Sequence, residues 1–305
     1  MMSRISAITV TYNPDISLLE RQINSLIGQI GCIILVDNGS KNIDEIKSLI
    51  RHVEKNGLVR VMAHYNVSNV GLAAAQNKGI ELSKGIDDTH VLLLDQDSVL
   101  ESDFVANLIS SESTLIASGV KVGAIGASYY NKKTGEVYPI TKYWGPFIER
   151  VIPTTEAVEA TFIIASGSLI AHHVIDEVGK MEEKLFIDYI DVEWAFRAKS
   201  QGYRIFASPI AKMEHNIGDS RTSVFGRKIS VHSPLRRYYL YRNSIFMLNN
   251  KSIDSGYKIR EITFNFMRFI VFMCLSKEKS KYLKYSFYGV VDGIRGRSGK
   301  CPYSW

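Results

Sequence analysis

Apolar and polar positions alternate in blocks over the first hundred residues. Short β-rich apolar runs, each closed by polar or turn-forming residues, predict strands over residues 5–12, 32–36, 58–65 and 91–94. Apolar residues at helical spacing predict helices after Asp15, over 44–54 and over 72–83. Strands that alternate with helices form a parallel sheet, which binds ligands at the carboxyl ends of its strands.

The remaining sequence has a different pattern. Residues 120–216 mix strand-like stretches with one clear helix, predicted over 189–201 and ending near Gly202. An uncharged run over 160–175 predicts two strands and a turn. The sequence becomes basic and aromatic beyond about residue 217. We therefore expect a catalytic-type α/β domain over 1–217, with halves over about 1–100 and 101–217, and a basic, largely helical region over 218–305.

Charge is distributed unevenly along the chain. Residues 1–220 carry 20 Lys and Arg against 27 Asp and Glu, whereas residues 221–305 carry 17 against 4. A basic segment rich in aromatic residues is typical of binding to an anionic lipid surface, although nucleic-acid binding and a solvated helical face are alternatives. No stretch of about 18 apolar residues occurs, so no transmembrane helix is expected.

Several protein classes are disfavoured by missing motifs. The three cysteines, Cys32, Cys274 and Cys301, are isolated, which argues against a disulfide scaffold or a thiolate zinc site and favours a reducing compartment. The first predicted strand is followed by Thr-Tyr-Asn-Pro without glycine, which disfavours a dehydrogenase-type dinucleotide site. A phosphate-binding P-loop, a nucleophile elbow and a zinc-protease motif are also absent.

Acidic residues follow two of the predicted strands. Asp95 and Asp97 come directly after the apolar strand over 91–94, and two carboxylates at this spacing can share one Mg²⁺ or Mn²⁺ together with substrate phosphates. Asp37 follows the strand over 32–36, where it could accept a hydrogen bond from a pyrimidine ring or a ribose hydroxyl. A turn aspartate that binds its own backbone is the common alternative.

Three further segments carry candidate chemistry. Small residues over 69–79, at the start of a predicted helix, indicate either close approach of a ligand or tight helix–sheet packing. Asp188, Asp191 and Glu193 gather at the start of the helix that contains Arg197. One of these acids could be a general base, although acids at a helix N-terminus also stabilise the helix dipole. His215 could complete a metal shell or contact phosphate.

Five motifs in this order resemble the family 2 glycosyltransferases of the GT-A fold, and most closely their bacterial rhamnosyltransferase branch. The resemblance covers about residues 4–250, and its motifs are TYNP (11–14), VDNGS (36–40), NVGLAAAQNKG (69–79), LLLDQDS (92–98) and FIDYIDVEWAFRA (186–198). The resemblance implies a Rossmann-like mixed sheet with helices on both faces. It also implies an inverting sugar transfer from a nucleotide donor.

The resemblance assigns roles residue by residue. Thr11, Asn13 and Asp37 are implied to hold the nucleoside, and Asn69, Gly71 and Asn77 to lie beside the ribose and diphosphate. Asp97 is implied as the ligand of Mg²⁺ or Mn²⁺, with Asp95 on the ribose or donor sugar and as a possible second ligand. His215 is a further candidate ligand.

The general base implied by the family motif is Asp191, with Glu193 and Arg197 at the following motif positions. Ile190 stands where the family commonly has Glu, which leaves Asp188 as a rival base.

The rhamnosyltransferase branch implies dTDP-β-L-rhamnose as donor and a polyprenyl-diphosphate-linked glycan as acceptor, in O-antigen or capsule synthesis. We expect a cytoplasmic protein that is peripheral on the inner face of the bacterial membrane, with residues 262–275 as an interfacial helix and without nucleic acid as a partner. The alternatives are a UDP-hexose or UDP-N-acetylhexosamine donor on the same fold, and a non-catalytic nucleotide- or glycan-binding relative.

Overall fold

One mixed β-sheet organises the first two thirds of the chain. The computed structural model describes residues 4–131, 134–214, 221–224, 227–230, 233–276 and 278–304. Its nine-stranded sheet has the order β3-β2-β1-β4-β10-β6-β11-β5, with β9 also paired to β11. The strands of this sheet are β1 (Ile5–Thr11), β2 (Cys32–Asp37), β3 (Arg60–Tyr65), β4 (His90–Asp95), β5 (Val99–Leu100), β6 (Val122–Tyr130), β9 (Val158–Ala160), β10 (Ser168–Ala171) and β11 (Arg204–Glu214).

The first half of the sheet is parallel, as the alternating pattern predicts. Strands β1 to β4 pair in parallel, and β10 adds to β4 in the antiparallel direction, which makes the sheet mixed. Two antiparallel hairpins lie outside the sheet: β7 (Ile140–Trp144) with β8 (Phe147–Val151), and β12 (Arg221–Val224) with β13 (Arg227–Ser230).

Helices cover both faces of the sheet. The helices of this part are α1 (Ile16–Leu26), α2 (Ile43–Asn56), α3 (Leu72–Lys84), α4 (Phe104–Ala117), α5 (His172–Val178) and α6 (Ile190–Ser200), with a 3₁₀ turn at Glu183–Leu185. Apolar residues of α1, α2 and α4 form one core with one face of the strands, whereas those of α3, α5 and α6 form a second core on the other face. The GT-A-type architecture expected from the sequence is therefore confirmed.

One local prediction was wrong. The run over 160–175 contains the strand β10 but no second complete strand, because β9 ends at Ala160 and α5 begins at His172. Val174, Ile175 and Val178 of α5 are buried against the sheet at helical spacing. The uncharged sequence of the run concealed this change of period from strand to helix.

Three helices form the C-terminal region: α7 (Pro234–Asn249), α8 (Ser255–Leu275) and α9 (Lys279–Ile294). None of the described helices combines the length and the continuous apolar sequence that crossing a membrane requires. The predicted boundary near residue 217 falls within residues 215–220, which are outside the described residues, so the division into two domains stays a prediction.

Helix α9 packs against α7 at close range. Gly289 lies so near α7 that a Cβ atom at this position would be 2.5 Å from the backbone oxygen of Tyr238. One turn later, a Cβ atom at Gly293 would be 2.9 Å from the backbone oxygen of Arg242. The buried Tyr238 hydroxyl also donates to Asp292 Oδ2 at 2.7 Å. The two glycines thus allow α9 to pack closely against the part of α7 around Tyr238 and Arg242.

We predict that Gly289→Ala lowers the free energy of unfolding by about 1 to 2 kcal/mol. Alanine favours a helix by about 1 kcal/mol, but the added methyl group clashes with rigid backbone, and we expect this clash to cost about 2 to 3 kcal/mol, the upper part of the usual range for overpacking. Urea unfolding followed by circular dichroism measures the change. Ser280→Ala, at an exposed position of the same helix, is the matched control, and a Gly289→Ala protein as stable as this control would contradict the close packing.

Candidate active site

The carboxyl ends of β2, β1 and β4 bring the predicted residues of the first hundred positions together. In the strand register, Thr11 pairs with Asp37, and Val10 pairs with Asp95. The loops that follow these strands therefore lie side by side at one edge of the sheet. The expectation that the candidate residues of separate motifs share this edge is confirmed.

Asp37 is fully buried and organises the loop after β2. Its carboxylate accepts hydrogen bonds from Thr11 Oγ1 at 2.9 Å, from the backbone N–H groups of Gly39 and Ser40 at 3.1 and 2.9 Å, and from Ser40 Oγ. This is the turn arrangement that the sequence left open as an alternative. Contact between Asp37 and a nucleoside stays a prediction.

The loop after β1 is held by the same turn and by the segment Asp95-Gln96-Asp97, which we call the D-x-D segment. Asn13 has a left-handed backbone (φ 48°), and its Oδ1 accepts from the N–H of Lys41 at 2.8 Å. The N–H of the half-exposed Tyr12 donates to Gln96 Oε1 at 2.8 Å. Gln96 was missed by the sequence reasoning, although its place between Asp95 and Asp97 was a usable signal.

The small residues at the start of α3 pack against the segment before α6. Gly71 has φ 97°, and a Cβ atom there would be 2.7 Å from Phe186 Cδ2. Asn69 Oδ1 accepts from the N–H of Gly71 at 2.9 Å. Asn77 donates to Met181 O at 2.9 Å and Glu183 Oε1 at 2.8 Å. These contacts support the tight-packing alternative, and the predicted contacts of Asn69, Gly71 and Asn77 with a ligand stay predictions.

Three left-handed residues precede α6. Phe186, Asp188 and Tyr189 have φ values of 64°, 65° and 64°. Residues other than glycine rarely adopt this backbone conformation, and each instance costs about 1 to 3 kcal/mol. Backbone strain of this kind clusters at functional sites. The segment places Asp188 and Asp191 beside the D-x-D acids.

Asp191 lies at the start of α6 in largely apolar surroundings. It lines a small cavity together with Ile163, Ile190 and Trp194. Desolvation there raises the pKa of Asp191 to about 6, and the charges of Asp188 and Asp95 act in the same direction, whereas a hydrogen bond from the N–H of Val192 at 2.9 Å opposes the rise. At neutral pH, Asp191 is therefore an ionised group with an unusually high affinity for a proton.

Asp95 and Asp97 form the second acidic pair. Desolvation, and next the Asp97 charge, raise the pKa of Asp95 to about 6, although water reaches the residue from the open side of the cleft. Tyr129 lies between the two groups of acids. Burial raises its pKa, with additional effects from the charges of Asp95 and Asp191, and its hydroxyl donates to Ser166 O at 2.8 Å. The charge of Asp97 thus acts on Asp95, and those of Asp95 and Asp188 act on Asp191, and we call the place of these four carboxylates the acidic cleft.

Arg236, which the sequence reasoning missed, is the cation that faces these acids. It lies in the first turn of α7, where its Nη2 donates to Asp188 Oδ1 at 2.9 Å. Its charge also lowers the pKa of Asp95, against the effects of burial and Asp97. The usable signal was Ser233-Pro234, a pattern typical of a helix start, with Arg236 and Arg237 in the turn that follows. Arg236 therefore links α7 to the acidic cleft, and it engages Asp188 rather than Asp191.

Glu193 and Arg197 belong to the framework of α6. Arg197 Nη2 lies 2.8 Å from Glu193 Oε2, and the guanidinium also donates to Val178 O at 2.6 Å and Lys180 O at 2.8 Å. Glu193 is buried and accepts from Asn250 Nδ2 at 3.3 Å. This network fixes the orientation of α6 and so the position of Asp191.

The donor set at the cleft fits a hard divalent cation. Asp95 and Asp97 carry carboxylate oxygens that repel each other electrostatically, and a cation between them would relieve this repulsion. Within the described ranges, no group of three or more His, Cys, Asp or Glu side chains could hold a metal by itself. His215 lies outside the described residues, so its predicted role as a ligand stays a prediction.

Comparisons with known proteins agree with this geometry. The family profile described as Glycosyl transferase family 2 matches residues 6–179, which include Asp37, Asp95 and Asp97. The dTDP-rhamnosyl transferase RfbF of Shigella flexneri is 31% identical over the full length of both chains. The low-salt glycan biosynthesis hexosyltransferase Agl10 of Haloferax volcanii is 24% identical, over 98% of this chain and 94% of its own.

A solved structure shares the fold. The crystal structure of S. aureus TarS 1-349 superposes with a TM-score of 0.57 over 96% of this chain and 81% of its own, at 15% sequence identity. This likeness extends through the C-terminal helices as well as the sheet.

We predict that Asp191→Asn stabilises the ligand-free protein at pH 7 by about 1 to 3 kcal/mol, since each unit of pKa shift corresponds to about 1.4 kcal/mol. The pKa of Asp191 is raised on folding, so the wild type loses stability as pH rises from about 4 through about 6. Asparagine, which resembles the protonated acid, removes that loss. Urea unfolding at pH 4.5 and pH 7.5 should therefore show that the difference in free energy of unfolding between Asp191→Asn and the wild type increases with pH.

The control for this measurement is Asp188→Asn, because Asp188 has the Arg236 guanidinium as its partner. Removing this acid breaks the ion pair and should destabilise the protein. An Asp191→Asn protein that is less stable than the wild type at pH 7.5 would contradict the desolvated environment assigned to Asp191.

Proposed function

Because the chain belongs to glycosyl transferase family 2, we propose that this glycosyltransferase transfers L-rhamnose from dTDP-β-L-rhamnose to a hydroxyl of a lipid-linked glycan. The observation that carries this proposal is that Asp95, at the carboxyl end of β4 and next to Asp97, lies close enough to Asp191, at the start of α6, for its charge to act on that acid. The full-length similarity to a dTDP-rhamnosyl transferase supports the choice of donor sugar. The cell-surface polysaccharide to which the glycan belongs would be of the O-antigen or capsule type.

The proposed reaction is a single displacement. The acceptor oxygen attacks the anomeric carbon of the donor, the bond from that carbon to the diphosphate breaks, and Asp191 takes the acceptor proton. A carboxylate with a pKa of about 6 is ionised at neutral pH and still basic enough to accept this proton. One in-line attack inverts the anomeric configuration. The ion pair of Asp188 with Arg236 favours Asp191 over this rival as the base.

We further propose that Asp97, with Asp95 beside it, holds Mg²⁺ or Mn²⁺. When bound, such a cation supplies positive charge that stabilises the leaving nucleoside diphosphate. Thr11, Asn13 and Asp37 would position the nucleoside, and Asn69, Gly71 and Asn77 would shape the wall beside the ribose. Arg236 adds a protein cation near Asp95 for the same developing charge.

The acceptor and its location are the remaining parts of the proposal. A polyprenyl-diphosphate-linked acceptor lies in a membrane, and the basic C-terminal region would hold the enzyme at the anionic inner surface of the bacterial cytoplasmic membrane. Support comes from α8, whose outward surface carries exposed apolar side chains between basic residues.

A UDP-hexose or UDP-N-acetylhexosamine donor is the second candidate. It is favoured by the 24% identity to a hexosyltransferase along nearly the whole chain. The same acids and the same displacement would serve this donor, so the two candidates differ only in which nucleotide is released.

We predict that the purified protein releases dTDP from dTDP-rhamnose in the presence of Mg²⁺ or Mn²⁺, and that a chelator abolishes the release. Asp97→Ala and Asp191→Asn should each lower the rate by about 10²- to 10⁴-fold, the range expected for loss of charge stabilisation or of a general base. Asp44→Asn, at an exposed position of α2, should leave the rate unchanged. Release of UDP from a UDP-sugar instead would establish the second candidate.

The identity of the base can be tested by the pH dependence of transfer to an acceptor. The rate should fall below about pH 6, as Asp191 becomes protonated. Because the charge of Asp188 raises the pKa of Asp191, Asp188→Asn should move this acidic limb to lower pH while the enzyme stays active. If Asp188→Asn abolishes transfer and Asp191→Asn does not, Asp188 is the base and the assignment is wrong.

A further inference from the structure

Helix α8 is apolar on two sides, because Tyr257 and Phe272 are buried on its inward side and a second apolar stripe faces outward. Its outward face carries four large apolar side chains at helical spacing, all of them exposed: Ile259, Ile262, Phe266 and Ile270. Its inward side holds Glu261, which is buried and accepts hydrogen bonds from Tyr189 Oη and from Asn265 Nδ2. A surface helix normally turns its apolar stripe towards the core. The outward stripe of α8 is therefore available to an apolar environment outside the protein.

The β7–β8 hairpin meets this helix at its first turn. A Cβ atom at Gly256 would overlap the backbone of Gly145 at the hairpin turn, so the two segments touch backbone to backbone. Arg260 Nη1 also donates to Pro146 O at 3.1 Å, and the rings of Tyr143 and Tyr257 lie 5.2 Å apart. The hairpin is thus fixed to α8.

The tip of the hairpin exposes two aromatic rings. Trp144 and Phe147 are cross-strand partners that flank the turn, and their relative accessibilities are 62% and 74%. Gly256, which contacts the turn, precedes Ile259 by three residues and therefore lies on the same side of α8. The two rings thus stand beside the end of the apolar stripe. Aromatic residues of this kind are enriched at the interface between membrane and water.

Basic residues outnumber exposed acids on the elements that carry this combined apolar surface. The sequence over 255–294 has seven Lys and Arg against three acids, of which Glu261 and Asp292 are buried. The hairpin carries Lys142, whose ammonium lies 5.3 Å from the centre of the Trp144 ring, and Arg150 against one acid, Glu149, whose Oε2 accepts from Trp144 Nε1 at 3.1 Å. A cationic border complements an anionic lipid surface, whereas two copies of the same face would repel each other. The charge therefore favours a bilayer over a second copy of the chain.

We propose that the hairpin tip and the outward stripe of α8 form one membrane-contacting surface, with Trp144 and Phe147 as a second anchor inserted into an anionic bilayer. This inference deepens the proposed membrane location, on which it rests, because it names the residues that enter the lipid. Two anchors on separate elements fix the orientation of the protein on the membrane, which a single interfacial helix leaves free to rotate about its axis.

The test uses the full chain with Trp305→Phe, which leaves Trp144 and the buried Trp194 as fluorophores. The probes are phosphatidylglycerol–phosphatidylcholine vesicles with and without brominated acyl chains. Trp144 fluorescence should shift to shorter wavelength and be quenched by the bromine atoms, and Trp144→Phe should remove the response. Binding to the vesicles without quenching of Trp144 would overturn the hairpin anchor, as would an absence of binding.

Sedimentation with the vesicles measures the contribution of each anchor. Phe147→Ser and Phe266→Ser should each weaken binding about tenfold, since each removes a large apolar side chain from the lipid. Leu58→Ser changes a residue outside this surface that is about as exposed (62%) as Phe266 (64%). This substitution should leave vesicle binding unchanged. Equal binding of Phe147→Ser and wild type, or a dimer in light scattering that Phe147→Ser disrupts, would overturn the proposal.

Failure of the proposed membrane surface can be distinguished from failure of the proposed reaction, because vesicle binding and donor turnover are measured separately. Release of nucleotide from donor in solution should be the same for Phe147→Ser and wild type, because the hairpin tip is outside the acidic cleft. Vesicle binding that depends on Phe147, in a protein that turns over no donor, would support the surface and contradict the reaction. Turnover of donor by a protein whose vesicle binding does not depend on Phe147 would support the reaction and contradict the surface.

Discussion

Two buried side chains of α7, Arg242 and Asn243, hold the backbone segment that precedes Asp191. Arg242 Nη2 donates to Leu185 O at 2.9 Å, and Asn243 Nδ2 lies 2.8 Å from both Leu185 O and Ile187 O. These bonds join the C-terminal helices to a segment with three left-handed residues, whose strain costs about 1 to 3 kcal/mol each. The C-terminal helices thus help to hold the segment that carries Asp188 and leads to Asp191.

The same segment explains why the cleft has its electrostatic properties. It places Asp191 among apolar residues, which raises the pKa of that acid, while Arg236, six residues before Arg242 along α7, forms an ion pair with Asp188. One acid is therefore paired and the other is left basic. Asp95 and Asp97 lack an equivalent guanidinium within ion-pair distance among the described residues, which agrees with the proposal that they hold a divalent cation. The repulsion and desolvation of these acids lower the free energy of unfolding, as is common at functional sites.

Sequence reasoning located the parts of the site that depend on local pattern. Parallel strands place their carboxyl ends at one edge, so Thr11, Asp37 and Asp95 could be grouped without a structure. Arg236, Arg242 and Asn243 could not, because their contacts span about fifty residues and the basic tail was interpreted by its summed charge. Asn77 and Gly71 illustrate a second limit, since small and polar residues at a helix start fit ligand binding and internal packing equally well. In the structure both contact the segment over 181–186.

The central claim is that this cleft performs one displacement, and the anomeric configuration of the product tests it most directly. The measurement is the one-bond carbon–hydrogen coupling at the new glycosidic carbon, by nuclear magnetic resonance, after transfer from dTDP-β-L-rhamnose. The account predicts an α-L-rhamnoside, because one attack from the face opposite the diphosphate inverts the centre. A β-L-rhamnoside would require two displacements or a front-face mechanism and would contradict the account.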